Sequence, residues 1–227
     1  MAPWALTSAH IFSQLPEHLS VGLFAKARPV KISADQILFM AGDPGDGCYR
    51  IESGLMKVSV MSPSGTERIL AIFGRGALVG EFAVIDGQPR SANVSAIRDT
   101  ELAFISRNVY EEFAREHPEV RDHIMTMLTQ RLRDTNSIVA AASFLSIKGR
   151  VALALVSLAE AFGQDVGNGR ILVRQKITQS DVAAMAGVAR ENVSRTLNDW
   201  MRQKLVSRVS GYYCLENSKK LEREAEV

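Results

Sequence analysis

The residues best placed to do chemistry lie in Gly80-Glu81-Phe82-Ala83-Val84-Ile85-Asp86-Gly87-Gln88-Pro89-Arg90-Ser91-Ala92, where a carboxylate and a guanidinium flank a mostly apolar turn. Gly80 and Gly87 give the backbone freedom and Pro89 fixes the approach to Arg90. Such a set can hold a sugar phosphate. Arg90 can grip two phosphate oxygens through its planar fork, and Ser91 can add a hydroxyl donor. Backbone N–H groups of a short helix opening at Glu81 can point at the same anion. Glu81, ionised, can accept from a ribose hydroxyl while balancing Arg90. By spacing alone, an Arg and a Glu nine residues apart form a structural ion pair more often than a ligand site.

A second chemical region lies near the C-terminus. Ile177 to Leu197 reads as two helices around a tight turn: Thr178 and Asp181 make a capping box, and Ala183, Gly187 and Val193 have helix-turn-helix spacing. Arg190, Glu191, Ser194 and Arg195 share one face of the second helix while Val193, Leu197 and Trp200 pack inward. An Arg can bind guanine O6 and N7 together, and a Glu can accept from cytosine N4. Asn192 and Thr196 could touch phosphates. Leu205 to Val209, Ser210-Gly211 and Tyr212 to Leu215 form a hairpin beside these helices, with the two tyrosines serving packing.

Other chemistries find no support. Gly74-Arg75-Gly76 puts its next glycine one position late for GxGxxG, and there is no GxxxxGK, HExxH or GxSxG. No catalytic constellation is present, so the chain is read as a non-enzyme. Cys48 and Cys214 are far apart with no CxxC, which excludes a disulfide framework or four-cysteine cluster within one chain and fits a reducing cytoplasm; no metal is expected. No signal segment or apolar run near 18 residues predicts export or a membrane partner.

These two regions need elements to hold them. From Val30 to about Ile105, short β-like runs (36–39, 48–51, 56–60, 67–73 and 92–96) broken by turns predict a barrel or sandwich. Gly42 to Gly47 is dense in turn formers, and Pro63-Ser64-Gly65 suits a hairpin. From Glu119 a helical pattern runs into the 140s, with Met125, Leu128, Leu132, Thr135, Val139 and Ala142 at heptad spacing. Such a helix suits pairing with a second chain. A helix from Arg150 to Phe162, a Gly-rich loop from Gly163 to Gly169 and a short strand, Ile171 to Val173, lead into the helix-turn-helix.

The expected organisation is a ligand-binding domain over 1–118, a dimerisation helix over 119–145, a winged helix-turn-helix domain over 146–217 and a mobile, charge-balanced tail over 218–227. Residues 1–118 carry 11 basic and 13 acidic side chains, and 146–217 carry 10 and 6, so the basic excess lies in the C-terminal part. That asymmetry permits nucleic-acid binding without proving it.

The 80–92 stretch closely resembles the phosphate-binding cassette of cyclic-nucleotide-binding domains: Gly-Glu, several apolar residues, Gly, then Pro-Arg-Ser-Ala. Over residues 10 to 215 the order of cassette, long helix and winged helix-turn-helix resembles the cyclic-AMP receptor protein (CRP/FNR) family of bacterial transcription regulators. The resemblance implies an α+β fold with an N-terminal jelly-roll-like β-roll, and a cytoplasmic homodimer that binds double-stranded DNA and works with RNA polymerase, in some relatives through the 163–169 loop. It implies cyclic AMP or cyclic GMP as effector. Arg90 and Ser91 would hold the cyclic phosphate and Glu81 the 2′-hydroxyl, with Val58, Val79, Gly80, Phe82, Ala92 and Val94 lining the pocket. Arg131, Thr135 and Asn136 would complete it from the long helix, Thr135 at the adenine amino group, although a polar seam residue can equally set dimer register.

Asn136 replaces the family's Ser, leaving adenine and guanine both open. Arg190, Glu191 and Arg195 match the base-reading trio for TGTGA-like half-sites in an inverted repeat. Thr178, Gln179, Ser180, Ala189, Asn192 and Ser194 would complete the DNA surface. Ala189 departs from a capping Ser. Phe144, Gly149 and Arg150 match the hinge between the domains. A regulator of the same fold that is constitutive or senses another small molecule is the alternative.

Overall fold

The computed structural model describes residues 15–226, which divide between Arg131 and Leu132 into two compact units. The first contains α1 (Glu17–Leu23), β1 (Arg28–Ile32), β2 (Ile37–Phe39), β3 (Gly47–Met61), β4 (Glu67–Phe73), β5 (Leu78–Val79), α2 (Glu81–Asp86), β6 (Asn93–Ser106), α3 (Arg107–Glu116) and the first half of α4 (Glu119–Phe144). Its antiparallel sheet runs β1-β6-β3-β4, with β2 on β6 and β5 on β3.

The runs 48–51 and 56–60, expected as separate strands, are one strand. They join at Gly54, whose φ of +105° suits glycine; a Cβ there would lie 2.2 Å from Thr100 Oγ1. Pairing with β6 shifts register on both sides of this point, and the Leu55 N–H donates to Thr100 Oγ1 at 3.1 Å. A bulge thus lets β3 bend without ending. The expected hairpin stands: Met61 faces Glu67 across a turn containing Gly65 at φ +82°.

One core, formed by Ile51, Met56, Phe73, Val79, Val94 and Leu102, lies within the roll. A second packs Leu19, Leu23, Tyr110, Val120, Ile124 and Met127 against Cys48 and Ile105. The first half of α4 therefore spends one apolar face on the first unit. The other stripe of α4, with Met125, Leu132 and Val139, is exposed in the single chain.

The second unit continues α4 into α5 (Ile147–Phe162), β7 (Gly163–Asp165), β8 (Ile171–Val173), α6 (Gln179–Ala186), α7 (Arg190–Arg202), β9 (Val206–Val209), β10 (Tyr212–Leu215) and α8 (Ser218–Glu224). Its sheet runs β7-β8-β10-β9. Every residue from Val151 to Ala159 is buried, so α5 is a central helix wrapped on all sides. Two local expectations change. The 163–169 stretch opens as β7, because Gly163 to Asp165 pair with β8. Residues 218–224 form a helix whose Leu221 is fully buried, not a mobile tail.

Candidate nucleotide pocket and DNA-reading surface

α2 is bounded by left-handed glycines, Gly80 at φ +78° and Gly87 at +68°. A Cβ on Gly80 would lie 2.5 Å from Arg90 Nη1, so the cassette closes on itself only with glycine there. Arg90 is locked from the backbone outward: its N–H donates to the Asp43 carbonyl at 2.9 Å, and its own carbonyl accepts from Gly42 at 2.8 Å. Its Nη1 donates to the Gly47 and Gly80 carbonyls, both at 2.8 Å, and its Nη2 to Asp46 Oδ1 at 3.0 Å. The guanidinium also lies 4.2 Å from the Phe39 ring centroid. Its Nε is buried without a partner.

Among the described residues Glu81 and Arg90 do not pair with each other. Glu81, also buried, is ion-paired with Arg131 of α4. Arg131 donates through Nη2 to the Leu78 carbonyl at 2.8 Å, and its guanidinium sits 4.6 Å from the Phe73 centroid. Each charge predicted to meet a ligand thus has a protein partner in its place. Beneath them, burial pushes the Cys48 thiol up, with the Glu81 carboxylate adding to the shift and Arg90 opposing it.

The fold brings Val58, Val79, Gly80, Glu81 and Phe82 around one cavity, closed by Arg90, Ser91, Ala92, Val94 and Arg131. Its volume is about 70 Å³, below the roughly 300–1,000 Å³ of typical ligand pockets. Thr135 and Asn136 lie further along α4, both exposed. Sequence reasoning missed Phe39 and Ala83 in the lining, and Asp46 as the partner of Arg90. Asp46 sits among turn formers, and its carboxylate carried no spacing signal towards Arg90. Among the described residues no His, Cys, Asp or Glu cluster could hold a metal ion, and no helix is long and apolar enough to cross a membrane.

In the second unit the predicted capping box is complete. Asp181 N–H donates to Thr178 Oγ1 at 3.1 Å, Thr178 N–H donates to Asp181 Oδ2 at 3.0 Å, and the Thr178 hydroxyl donates to the same carboxylate oxygen at 2.6 Å. Gly187, at φ +62°, turns the chain towards α7, and the Arg150 guanidinium donates to its carbonyl at 3.2 Å. Ala189 occupies the N-cap of α7 and offers no side-chain cap.

Val193, Leu197 and Trp200 are buried. Arg190, Glu191 and Arg195 are exposed on the other face, with Ser180 and Ala189 also exposed and Gln179, Asn192 and Ser194 half-buried. Thr196, expected at a phosphate, is instead only 4% exposed and belongs to the packed face. β9 and β10 form the wing, joined through Ser210 (φ +51°) and Gly211 (φ +89°), a turn with two left-handed residues. Tyr213 is buried, as a packing role requires.

Residues 29–117 match the cyclic nucleotide-binding domain family, and residues 149–224 match the Crp-like helix-turn-helix domain. The chain is 30% identical over 220 residues to a CRP-like cAMP-activated global transcriptional regulator of Mycobacterium tuberculosis, covering 97% of this chain and 98% of that one. It is 35% identical over 161 residues to the cyclic AMP receptor protein of Thermus thermophilus, covering 71% of each. A crystal structure of a CRP/FNR-family transcriptional regulator from Thermus thermophilus superposes with a TM-score of 0.72 at 25% identity, covering 88% of this chain and 99% of that one. With 97% of its length matched to one relative and both family domains present, the chain belongs to the CRP/FNR family of transcription regulators.

Proposed function

We propose that this regulator binds a cyclic nucleotide in the first unit and, as a homodimer, reads a TGTGA-like inverted repeat through α7. The observation that carries this reading is the cassette itself: Arg90 and Glu81, both buried, are held at one small cavity by partners that a ligand could replace. The cyclic phosphate takes the place of Asp46 on Arg90, with Ser91 adding a donor. The ribose hydroxyl competes with Arg131 for Glu81. Thr135, with Asn136 of the partner subunit, meets the base, and the amide of Asn136 serves adenine or guanine. The exposed stripe of α4 pairs with its copy in the dimer.

Ligand then shifts the population towards the DNA-competent arrangement in proportion to its differential affinity for the two states. Half-sites one turn of DNA apart, ~34 Å, suit two recognition helices in successive major grooves. Arg190 and Glu191 read base edges, Arg195 completes the trio, and Thr178, Gln179, Ser180, Ala189, Asn192 and Ser194 complete the contact surface. Bound at a promoter in the cytoplasm, the dimer works with RNA polymerase.

Calorimetric titration with cyclic AMP and cyclic GMP, paired with gel shift on a TGTGA-N6-TCACA duplex, tests the reading. Tightening of the shift by cyclic AMP alone assigns Thr135 and Asn136 to adenine. Tightening by both assigns relaxed base choice to Asn136. Binding of neither nucleotide, with the shift intact, replaces this reading with a constitutive regulator or one that senses another molecule.

A further inference from the structure

The C-terminal helix α8 carries none of the residues proposed to meet nucleotide or DNA, yet it docks against α5 beside the start of that helix. Its start is capped by Asn217, whose side chain accepts from the Lys220 N–H at 3.0 Å. Leu221 and Ala225, four residues apart and both buried, face inward and anchor it against α5. Its last turn reaches Gly149 in the first turn of α5. A Cβ at Gly149 would lie 2.9 Å from the Glu224 carbonyl oxygen and 3.2 Å from Leu145 Cδ2.

Gly149 is helical, so its lack of a side chain serves this close approach rather than an unusual backbone angle. Ser146 caps α5 by accepting from the Gly149 N–H at 3.1 Å. Leu145, Ser146 and Gly149 therefore form the corner where the chain leaves α4 and enters α5, and the end of α8 rests against it.

We propose that α8 is a clasp on the α4–α5 corner, and that its docking sets how strongly effector occupancy changes DNA affinity. This rests on the effector-controlled reading above. The chain runs from the nucleotide cassette to the DNA-reading helices only through this corner, so an element that fixes its shape biases whatever the corner transmits. A seven-residue helix is far too short to persist undocked. Its hold depends on the contact at Gly149 and the burial of Leu221, which makes it a low-stability element able to open locally.

Gly149→Ala places a methyl against the Glu224 carbonyl from the corner side, and Leu221→Ala weakens the anchor from the helix side. Both are made in the full chain. Trypsin release of the tail at Lys219, Lys220 and Arg223, followed by mass spectrometry, reads docking. The ratio of DNA affinities with and without cyclic AMP reads coupling. Both variants are expected to release the tail faster and to lower that ratio by about fivefold or more, while far-UV circular dichroism shows both folded. Faster release with an unchanged ratio overturns the proposal, because α8 is then structural only. Unchanged release in both variants overturns the clasp itself. A wild-type ratio of one overturns the effector reading and the coupling with it, while the release rates still report the clasp.

Discussion

The nucleotide cassette and the recognition helix are both charged sites, yet they are prepared in opposite ways. Arg90 has a side chain only 2% exposed and is bonded to two carbonyls and Asp46, and Glu81 is held by Arg131. Arg190, Glu191 and Arg195 stand in solvent on a helix whose other face is packed. A ligand at the cassette must replace existing partners, which ties its binding to rearrangement of α4 through Arg131 and of the 42–47 loop through Asp46. A DNA surface docked at α7, as proposed, would meet exposed side chains that need only lose water and rotamer freedom. The first arrangement suits a site that reports occupancy, the second a site that reads a surface presented to it.

Four substitutions would break or sharpen that contrast. The largest effect belongs to Arg90→Leu, which removes the fork proposed to grip the phosphate: nucleotide affinity in calorimetry should fall by at least about 100-fold, about 3 kcal/mol. The fold should survive with some loss of stability, since Asp46, 67% exposed, is solvated without its partner while the Gly47 and Gly80 carbonyls lose a donor. Undiminished affinity would remove Arg90 from the site. On the reader, Arg190→Ala should cost about 1–3 kcal/mol of DNA binding and relax preference at one base pair, as read by selection from randomised half-sites. An unchanged preference would move the docking face elsewhere.

Ala189→Ser supplies the missing N-cap of α7 and should stabilise the second unit by about 1 kcal/mol in denaturant unfolding, whereas no gain would mean that the first-turn N–H groups are already satisfied. The smallest effect is expected from Asp46→Asn. It removes the resident anion, and because that carboxylate is exposed the pair contributes under about 1 kcal/mol. Nucleotide binding should tighten by about threefold. Weaker binding instead would show that Asp46 aims Arg90 more than it competes for it.

The sequence carried both sites where local chemistry dictates shape. Gly80 and Gly87 need left-handed backbone, Thr178 and Asp181 satisfy each other across three residues, and the heptad spacing from Met125 to Ala142 runs along one helix. It failed where the deciding contact joins distant segments. Asp46 and Arg90 are 44 residues apart, and Glu81 and Arg131 are 50 apart. The runs 48–51 and 56–60 read as two strands because the residues between them break the β-like pattern; the contact of Gly54 with Thr100 on the neighbouring strand makes that joint a bulge within β3. Thr196 looked polar and available, but its position on α7 belongs to the buried stripe. The tail looked mobile because its charges balance, while Leu221 and Ala225, which dock it, make too short a pattern to carry a periodic signal.

Each unit also contains one buried thiol, Cys48 in the first and Cys214 in the second. Burial raises the thiol pKa at both sites, with Glu81 adding at Cys48 and Glu216 at Cys214, so little thiolate is available in the closed state. Alkylation must then wait for its own unit to open, and peptide masses separate the two modified cysteines. The chain thus contains a pair of independent clocks: nucleotide that tightens the first unit should slow labelling of Cys48, and DNA that holds the second should slow Cys214. Whether one ligand slows both clocks measures in minutes of labelling how far the two units share their stability.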